Sequence, residues 1–346
     1  MTYQPFAWAR FLGGAVLATG LATPAMAETL LMNNWLPPTH SLVTQVFEPW
    51  AEEVARATDG DVTIRMTDSS LGAPPRQFDL AVDGIADLTF GVTGYTPGRF
   101  HLPAIAELPQ VGSQGEALSV ALWQVYTEMF EDVGEFRDVK LLGMFTNGTG
   151  VIMSTDSTGP IASIDDYQGR KFRVGGGVVQ DINLALGGVN VAAPAGEVYE
   201  ILEQGVADGV LLPTDAYKSF SLTGVIDNAT TVPGGFYTSA WFLVMNRDKW
   251  DRLSEQNQQA IMSVSGEAFA RLAGRAQDEG DQAGLAQMNE DDVEIIEASP
   301  EFVSAIQERV APIEQDWIQT ADELGVDGAE ALAKFRAITG SIEGAQ

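Results

Sequence analysis

From residue 28 onward, short β-type runs alternate with stretches of helical periodicity, and this alternation narrows the fold more than any other feature of the chain. Glu28–Trp35 reads as a strand. His40–Thr58 follows with Leu42, Val46, Trp50 and Val54 on one helical face, and Gly60 marks the stop. Val62–Thr67, Asp87–Val92, Val139–Phe145, Lys171–Val174, Gly209–Leu212, Phe236–Met245 and Val293–Glu297 have β character. Helices are predicted between them over Arg76–Val82, Glu116–Phe130, Val179–Leu186 and Glu197–Gln204. A polar helical pattern runs from Ser254 to about Met288, and two helices, near Pro300–Ala321 and Ala329–Ile338, finish the chain. Strands in alternation with helices predict an α/β fold of mostly parallel sheets covered by helices. The 346 residues are enough for roughly two ordinary domains.

One internal echo bears on that division. Phe78-Asp-Leu-Ala-Val-Asp-Gly84-Ile-Ala-Asp87-Leu reads as helix, glycine stop, Ala-Asp and strand. Tyr199-Glu-Ile-Leu-Glu-Gln-Gly205-Val-Ala-Asp208-Gly repeats the pattern about 120 residues later. Gly84 and Gly205 suit the left-handed position just past a helix end. The echo fits a common αβ turn, and it also fits two similar α/β lobes facing a cleft, a frame for hinge closure on a small ligand.

Composition removes whole classes of chemistry. Lys plus Arg number 19 against 48 Asp plus Glu, a formal charge of −29, and no basic patch stands out in the sequence. Nucleic acid and anionic lipid surfaces are therefore not expected partners. The chain has no cysteine, which excludes disulfides, thiolate metal sites and cysteine nucleophiles, and only two histidines, His40 and His101. Neither histidine lies in a metalloprotease or nucleophile-elbow context, and His40, after Pro37-Pro38-Thr39, suits a helix start. Gly175-Gly176-Gly177 sits between a strand and a helix but lacks the spacing of a phosphate cradle. No catalytic residue, cofactor or metal ligand is called for. Acidic pairs such as Asp165-Asp166 and Asp291-Asp292 read as solvated surface among so many carboxylates.

Met1–Ala27 carries one basic residue, Arg10, then the apolar run Phe11–Leu21 and Ala25-Met26-Ala27. This is the pattern of a secretory signal cleaved after Ala27, and the apolar run is too short for the roughly 20 residues of a spanning helix. No later segment is long and apolar enough to span, so direct membrane insertion is not expected. Removing Arg10 takes the charge from −29 to −30. An exported protein without thiols suits a bacterial periplasm.

Ile164-Asp-Asp-Tyr-Gln-Gly169-Arg-Lys171-Phe-Arg173-Val174 resembles a "sLaDlkGlKiRv" stretch found in the solute receptors of TRAP (tripartite ATP-independent periplasmic) transporters, C4-dicarboxylate-binding type. The resemblance extends to Asn34-Trp35-Leu36-Pro37-Pro38, Leu80–Asp87, Asn147-Gly148, Glu197-Val198-Tyr199, Gly205–Gly209, Phe242–Asn246 and the long helix after Ser254. It implies a two-lobed periplasmic-binding-protein fold, a flytrap with a long helix spanning both lobes. Residues 28–150 plus about 238–278 would form the first lobe, and 151–237 plus about 279–346 the second. One small organic carboxylate would be held in the cleft by hinge closure and delivered to TRAP integral membrane subunits.

In that family the arginine matching Arg173 binds the ligand carboxylate, a role suited to a planar guanidinium that stays charged and offers a two-pronged donor. Asn34, Trp35, Tyr95, Asn147, Leu212, Tyr217, Phe236, Tyr237 and Trp241 lie on segments that should border the same cleft. Relative to members that bind sialic acid, Gly159 aligns with a second ligand-binding arginine, Leu211 and Leu212 with acidic and amide residues, and Gly176 with an asparagine. One cation amid apolar and aromatic lining predicts a monocarboxylate of modest polarity: an aromatic, branched-chain, 2-oxo or hydroxy acid. The rival readings are a secreted hydrolase or lyase using two carboxylates, and a receptor of the same fold that serves a sensor.

Overall fold

A computed structural model describes residues 1–3 and 27–345, so the signal segment lies almost wholly outside the described residues. Along the chain the elements are β1 (Glu28–Met32), α1 (Glu48–Ala57), β2 (Val62–Met66), α2 (Gln77–Val82), β3 (Leu88–Val92), α3 (Gly115–Val125), β4 (Val139–Thr146) and β5 (Gly150–Ser154). Next come α4 (Ile164–Tyr167), β6 (Lys171–Val174), α5 (Val178–Ala185), β7 (Val189–Ala192), α6 (Val198–Glu203), β8 (Gly209–Pro213), α7 (Asp215–Ser219) and β9 (Asn228–Thr231). The chain ends with β10 (Ala240–Asn246), α8 (Arg247–Arg252), α9 (Glu255–Ser263), α10 (Gly266–Glu290), β11 (Glu294–Glu297), α11 (Pro300–Glu323) and α12 (Gly328–Glu343). No helix among the described residues is long and apolar enough to cross a membrane.

The strands form two sheets, one per lobe: β2-β1-β3-β10-β4 and β11-β9-β5-β8-β6-β7. Read from its β7 edge, the second sheet repeats the five strands of the first and adds β11 beyond β9. β6 is parallel to β7 and β8 as β1 is to β2 and β3. β5 is antiparallel to β8 and β9 as β10 is to β3 and β4. Mostly parallel sheets were expected. The antiparallel strand in each sheet is the one entered from the other sheet with no helix between, β5 after β4 and β10 after β9, which is why a local helix–strand pattern does not reveal it. The echo in sequence has its counterpart here: Gly84 and Gly205 both take positive φ, +67° and +65°, ending α2 and α6. Each is followed by a strand near the middle of its sheet, β3 and β8.

The two crossings run side by side. Gly150 N–H donates to Tyr237 O at 2.8 Å, and the Thr238 hydroxyl donates to Asn147 O at 2.9 Å. For that reason the strand expected from Phe236 begins only at Ala240.

The polar helix expected as one piece from Ser254 is two, α9 and α10. The break is at Ser265, whose backbone is extended and whose hydroxyl accepts the buried Trp50 indole N–H at 3.2 Å. The 25-residue α10 touches both halves of the molecule. Asp278 accepts the N–H groups of Gly115 and Glu116 at the start of α3 (2.6 and 3.0 Å), and Asp281 accepts Asp215 N–H at the start of α7 (2.9 Å). Below the first sheet, Phe47, Trp50, Phe90, Phe145 and Phe269 form an aromatic core. Of the C-terminal helices, expected with the second lobe, α11 packs Phe302, Ile306 and Val310 into that lobe's core, while Trp317 and Ala321 farther along it and Leu332 and Phe335 of α12 share a core with Leu118 and Leu122 of α3.

Candidate functional site

Between the sheets lies a cavity of about 40 Å³ lined by Trp35, Leu36, His40, Val92 and Tyr95 on one side and Arg173, Gly175, Val179, Ala195, Leu211, Leu212, Pro213, Asp215, Ala216 and Phe220 on the other. The crossings add Asn147, Tyr237 and Ser239, and β10 adds Trp241. Because the lining comes from both sheets, anything larger than a few waters enters only if the lobes part.

Arg173 is the third residue of β6 and only 1% exposed. Its Nε and Nη2 both donate to Ala193 O, at 3.0 and 2.5 Å. Nη1 is buried with no partner, and among the described residues no carboxylate lies within ion-pair distance of the guanidinium. Burying an unpaired cation is costly, so such a group stands ready for an anion. Flanking Lys171 is exposed, and Arg170 turns back to Asp166 O.

An aromatic wall stands beside it. Trp35 stacks on Trp241 with ring centroids 5.6 Å apart and 7° between planes, and Trp241 stacks on Phe145 at 5.5 Å. Both indoles are fixed through their N–H groups: Trp35 donates to Phe90 O (3.0 Å), and Trp241 to Asn147 Oδ1 (2.7 Å). That last bond leaves the Asn147 amide protons for the cavity. Tyr95 sits edge-on to Trp35 at 6.2 Å, and its hydroxyl accepts Ala195 N–H from the other side of the cleft at 3.1 Å. Tyr237 is buried, and burial pushes its phenol pKa up, so it remains a neutral donor.

Thus Arg173, Trp35, Tyr95, Asn147, Leu212, Tyr237 and Trp241 come together around one cavity. Asn34, Tyr217 and Phe236 do not line it. Asn34 Oδ1 accepts Leu36 N–H in the turn that presents Trp35; Tyr217 sends its hydroxyl to Asp291 at 2.9 Å; Phe236 is buried in the core of the second lobe. Gly159, aligned with a second arginine, is also outside the lining. It occupies a turn after β5 at φ +73° with open space around it. At Gly176 a side chain has no room, since a Cβ there would lie 1.7 Å from Gly94 O.

His40 and Asp215 line the cavity although the sequence did not mark them as binding residues. The His40 ring is buried, which lowers its pKa to about 4. Burial and the neighbouring Asp281 carboxyl push Asp215 well above the usual carboxylate range, and Asp281 itself is pushed up to about 7. Just outside the lining, Glu107 accepts Thr93 Oγ1–H and Ala240 N–H through Oε1 and Val178 N–H through Oε2, and burial pushes it up to about 7. No group of three His, Asp or Glu among the described residues is placed to hold a metal ion.

Residues 32–320 match the family model DctP, "Bacterial extracellular solute-binding protein, family 7". The chain is 32% identical to a Comamonas testosteroni protein named outer membrane transporter protein TsaT, over 93% of this chain and 95% of that one. Among solved structures it superposes with TM-score 0.89 and 39% identity on a TRAP periplasmic solute-binding protein of Bordetella bronchiseptica with bound (R)- and (S)-mandelate, covering 91% of this chain and 99% of that one. A TRAP solute-binding protein of Rhodoferax ferrireducens in complex with copurified benzoate matches with TM-score 0.85 and 25% identity, covering 91% and 98%.

Proposed function

The chain belongs to the family 7 bacterial extracellular solute-binding proteins, the periplasmic receptors of TRAP transporters, and on that premise we propose that it captures a small aromatic monocarboxylate in the cavity beside Arg173 and delivers it to TRAP membrane subunits. One observation carries this reading: Arg173 is a buried guanidinium with an orphaned Nη1 and no carboxylate partner among the described residues, at an interlobe cavity. A ligand carboxylate supplies the missing charge and acceptor. Asn147 and Tyr237 add neutral donors, and Trp35, Tyr95, Trp241 and Leu212 offer a flat apolar bed for a ring. A single cation in this lining leaves a second carboxylate, or the hydroxyls of a sugar acid, without enough partners. The mandelate and benzoate in the similar structures are aromatic monocarboxylates of this kind.

In this reading the protein is a receptor without catalytic residues of its own, exported with cleavage after Ala27. The lobes divide near Gly150 and Thr238, where the paired crossings serve as the hinge. Asn34, Tyr217 and Phe236 act by shaping the cavity walls. The test is to purify the protein from its native host, release what copurifies, and identify it by mass spectrometry. An aromatic monocarboxylate is the expected result; a dicarboxylate or a sugar acid rejects the ligand class.

A further inference from the structure

His40 borders the same cavity as Arg173 although it is 4% exposed. Its Nδ1 accepts the backbone N–H of Leu42 at 3.2 Å, and the ring edge meets Phe220 at 5.4 Å between centroids. A backbone amide can only donate, so Nδ1 carries no proton, and in the neutral ring the proton sits on Nε2. With Nδ1 turned to its own chain, the Nε2–H edge is the part of the ring left to the cavity. Among the described residues Nε2 has no hydrogen-bond partner. The neighbouring lining, Leu36, Ala216 and Phe220, is apolar, and the carboxyl of Asp215 is engaged by Ser41.

We infer that His40 is a specificity-determining residue: it donates its Nε2 proton to an oxygen substituent of the ligand other than the carboxylate held by Arg173, so the receptor selects hydroxylated aromatic acids over their unsubstituted parents. This rests on the carboxylate reading above and adds a second point of recognition. A neutral donor does not compete for the carboxylate, which the buried cation takes. An acid without the oxygen leaves Nε2–H buried and unpaired, and a site with such a donor discriminates against the analogue that lacks its acceptor.

The experiment is calorimetric titration with two matched pairs, mandelate against phenylacetate and 3-hydroxybenzoate against benzoate, on wild type, His40→Asn and His40→Gln. Asparagine keeps an acceptor for Leu42 N–H but has no donor at the Nε2 position; glutamine carries one there. Wild type should favour the hydroxylated member of at least one pair by roughly tenfold or more. His40→Asn should bring that ratio to within about twofold by weakening the hydroxylated acid alone, and His40→Gln should restore part of it. A wild-type ratio near one in both pairs overturns the assignment while leaving the carboxylate reading intact. So does a His40→Asn variant that weakens both members of a pair equally. If wild type binds none of the four acids, the carboxylate reading fails and this inference fails with it.

Discussion

Glu107 accepts the backbone N–H of Val178 at 3.0 Å, a hydrogen bond from the helix that opens off the second sheet to a buried carboxyl beside the first. The same carboxyl accepts Ala240 N–H at the start of β10. Together with the Tyr95–Ala195 bond and the contact of Gly94 with Gly176, it draws the two lobes together beside the cavity.

The Glu107 carboxyl gives the fold a pH dependence of definite sign. Its folded pKa, about 7, lies above the ordinary value of 4.5. The stability it contributes is therefore complete below about pH 4.5 and is lost as pH rises towards 7, on the order of 3 kcal/mol in all. Asp281, also pushed up to about 7, and Asp215 act in the same direction. Thermal midpoints of wild type should fall between pH 5 and 7.5, and Glu107→Gln should flatten part of that fall while the Asp215–Asp281 share remains. An unchanged slope in Glu107→Gln would remove Glu107 from this account.

Gly176→Ala tests the close approach of the lobes. The added Cβ would lie 1.7 Å from Gly94 O, a clash relieved only by holding the lobes apart. Ligand affinity should drop by about tenfold or more, because closure is the step penalised. Small-angle scattering should show less compaction on adding ligand than in wild type. Wild-type affinity in this variant would mean that the bound form does not use this contact.

A panel of acids tests the lining. Thermal-shift measurements should rank benzoate- and mandelate-like acids above succinate, malate and sugar acids, since Leu211 and Leu212 provide no partner for a second polar end. A dicarboxylate at the top of the ranking, confirmed by calorimetry, would overturn the reading of Leu211 and Leu212 while the family assignment stands.

Arg173 was legible at the cavity because Ile164–Val174 resembles the receptor family's motif, whose matching arginine binds the ligand carboxylate; strand and glycine stop alone placed it on β6 without a role. The paired helix–glycine–strand units around Gly84 and Gly205 fitted either a common αβ turn or two similar lobes, and each unit leads into one of the two sheets. The short strands β5, β7 and β9 were not foreseen. β9, Asn228–Thr231, is polar in sequence, and it is a strand because β5 and β11 pair with it on either side. Tyr217 and Phe236 were expected at the cleft because their segments should border it, and a segment's place does not say which way an aromatic on it faces. His40 was read as a helix-start residue, and its Nδ1 does cap Leu42. The same ring's place at the cavity depends on α7 and Phe220, some 180 residues later in the chain. Pairings of that range leave no local pattern.

The central claim is that the buried guanidinium of Arg173 holds the ligand carboxylate, and side-by-side calorimetric titration of wild type, Arg173→Lys and Arg173→Ala with an aromatic monocarboxylate tests it most directly. Loss of one partner of a desolvated charge pair costs on the order of 2–5 kcal/mol, so Arg173→Ala should bind roughly 30-fold to several thousand-fold more weakly. Arg173→Lys should fall between, keeping the charge but losing the fork. Circular dichroism should show all three folded. A folded Arg173→Ala that binds the acid as tightly as wild type would contradict the account.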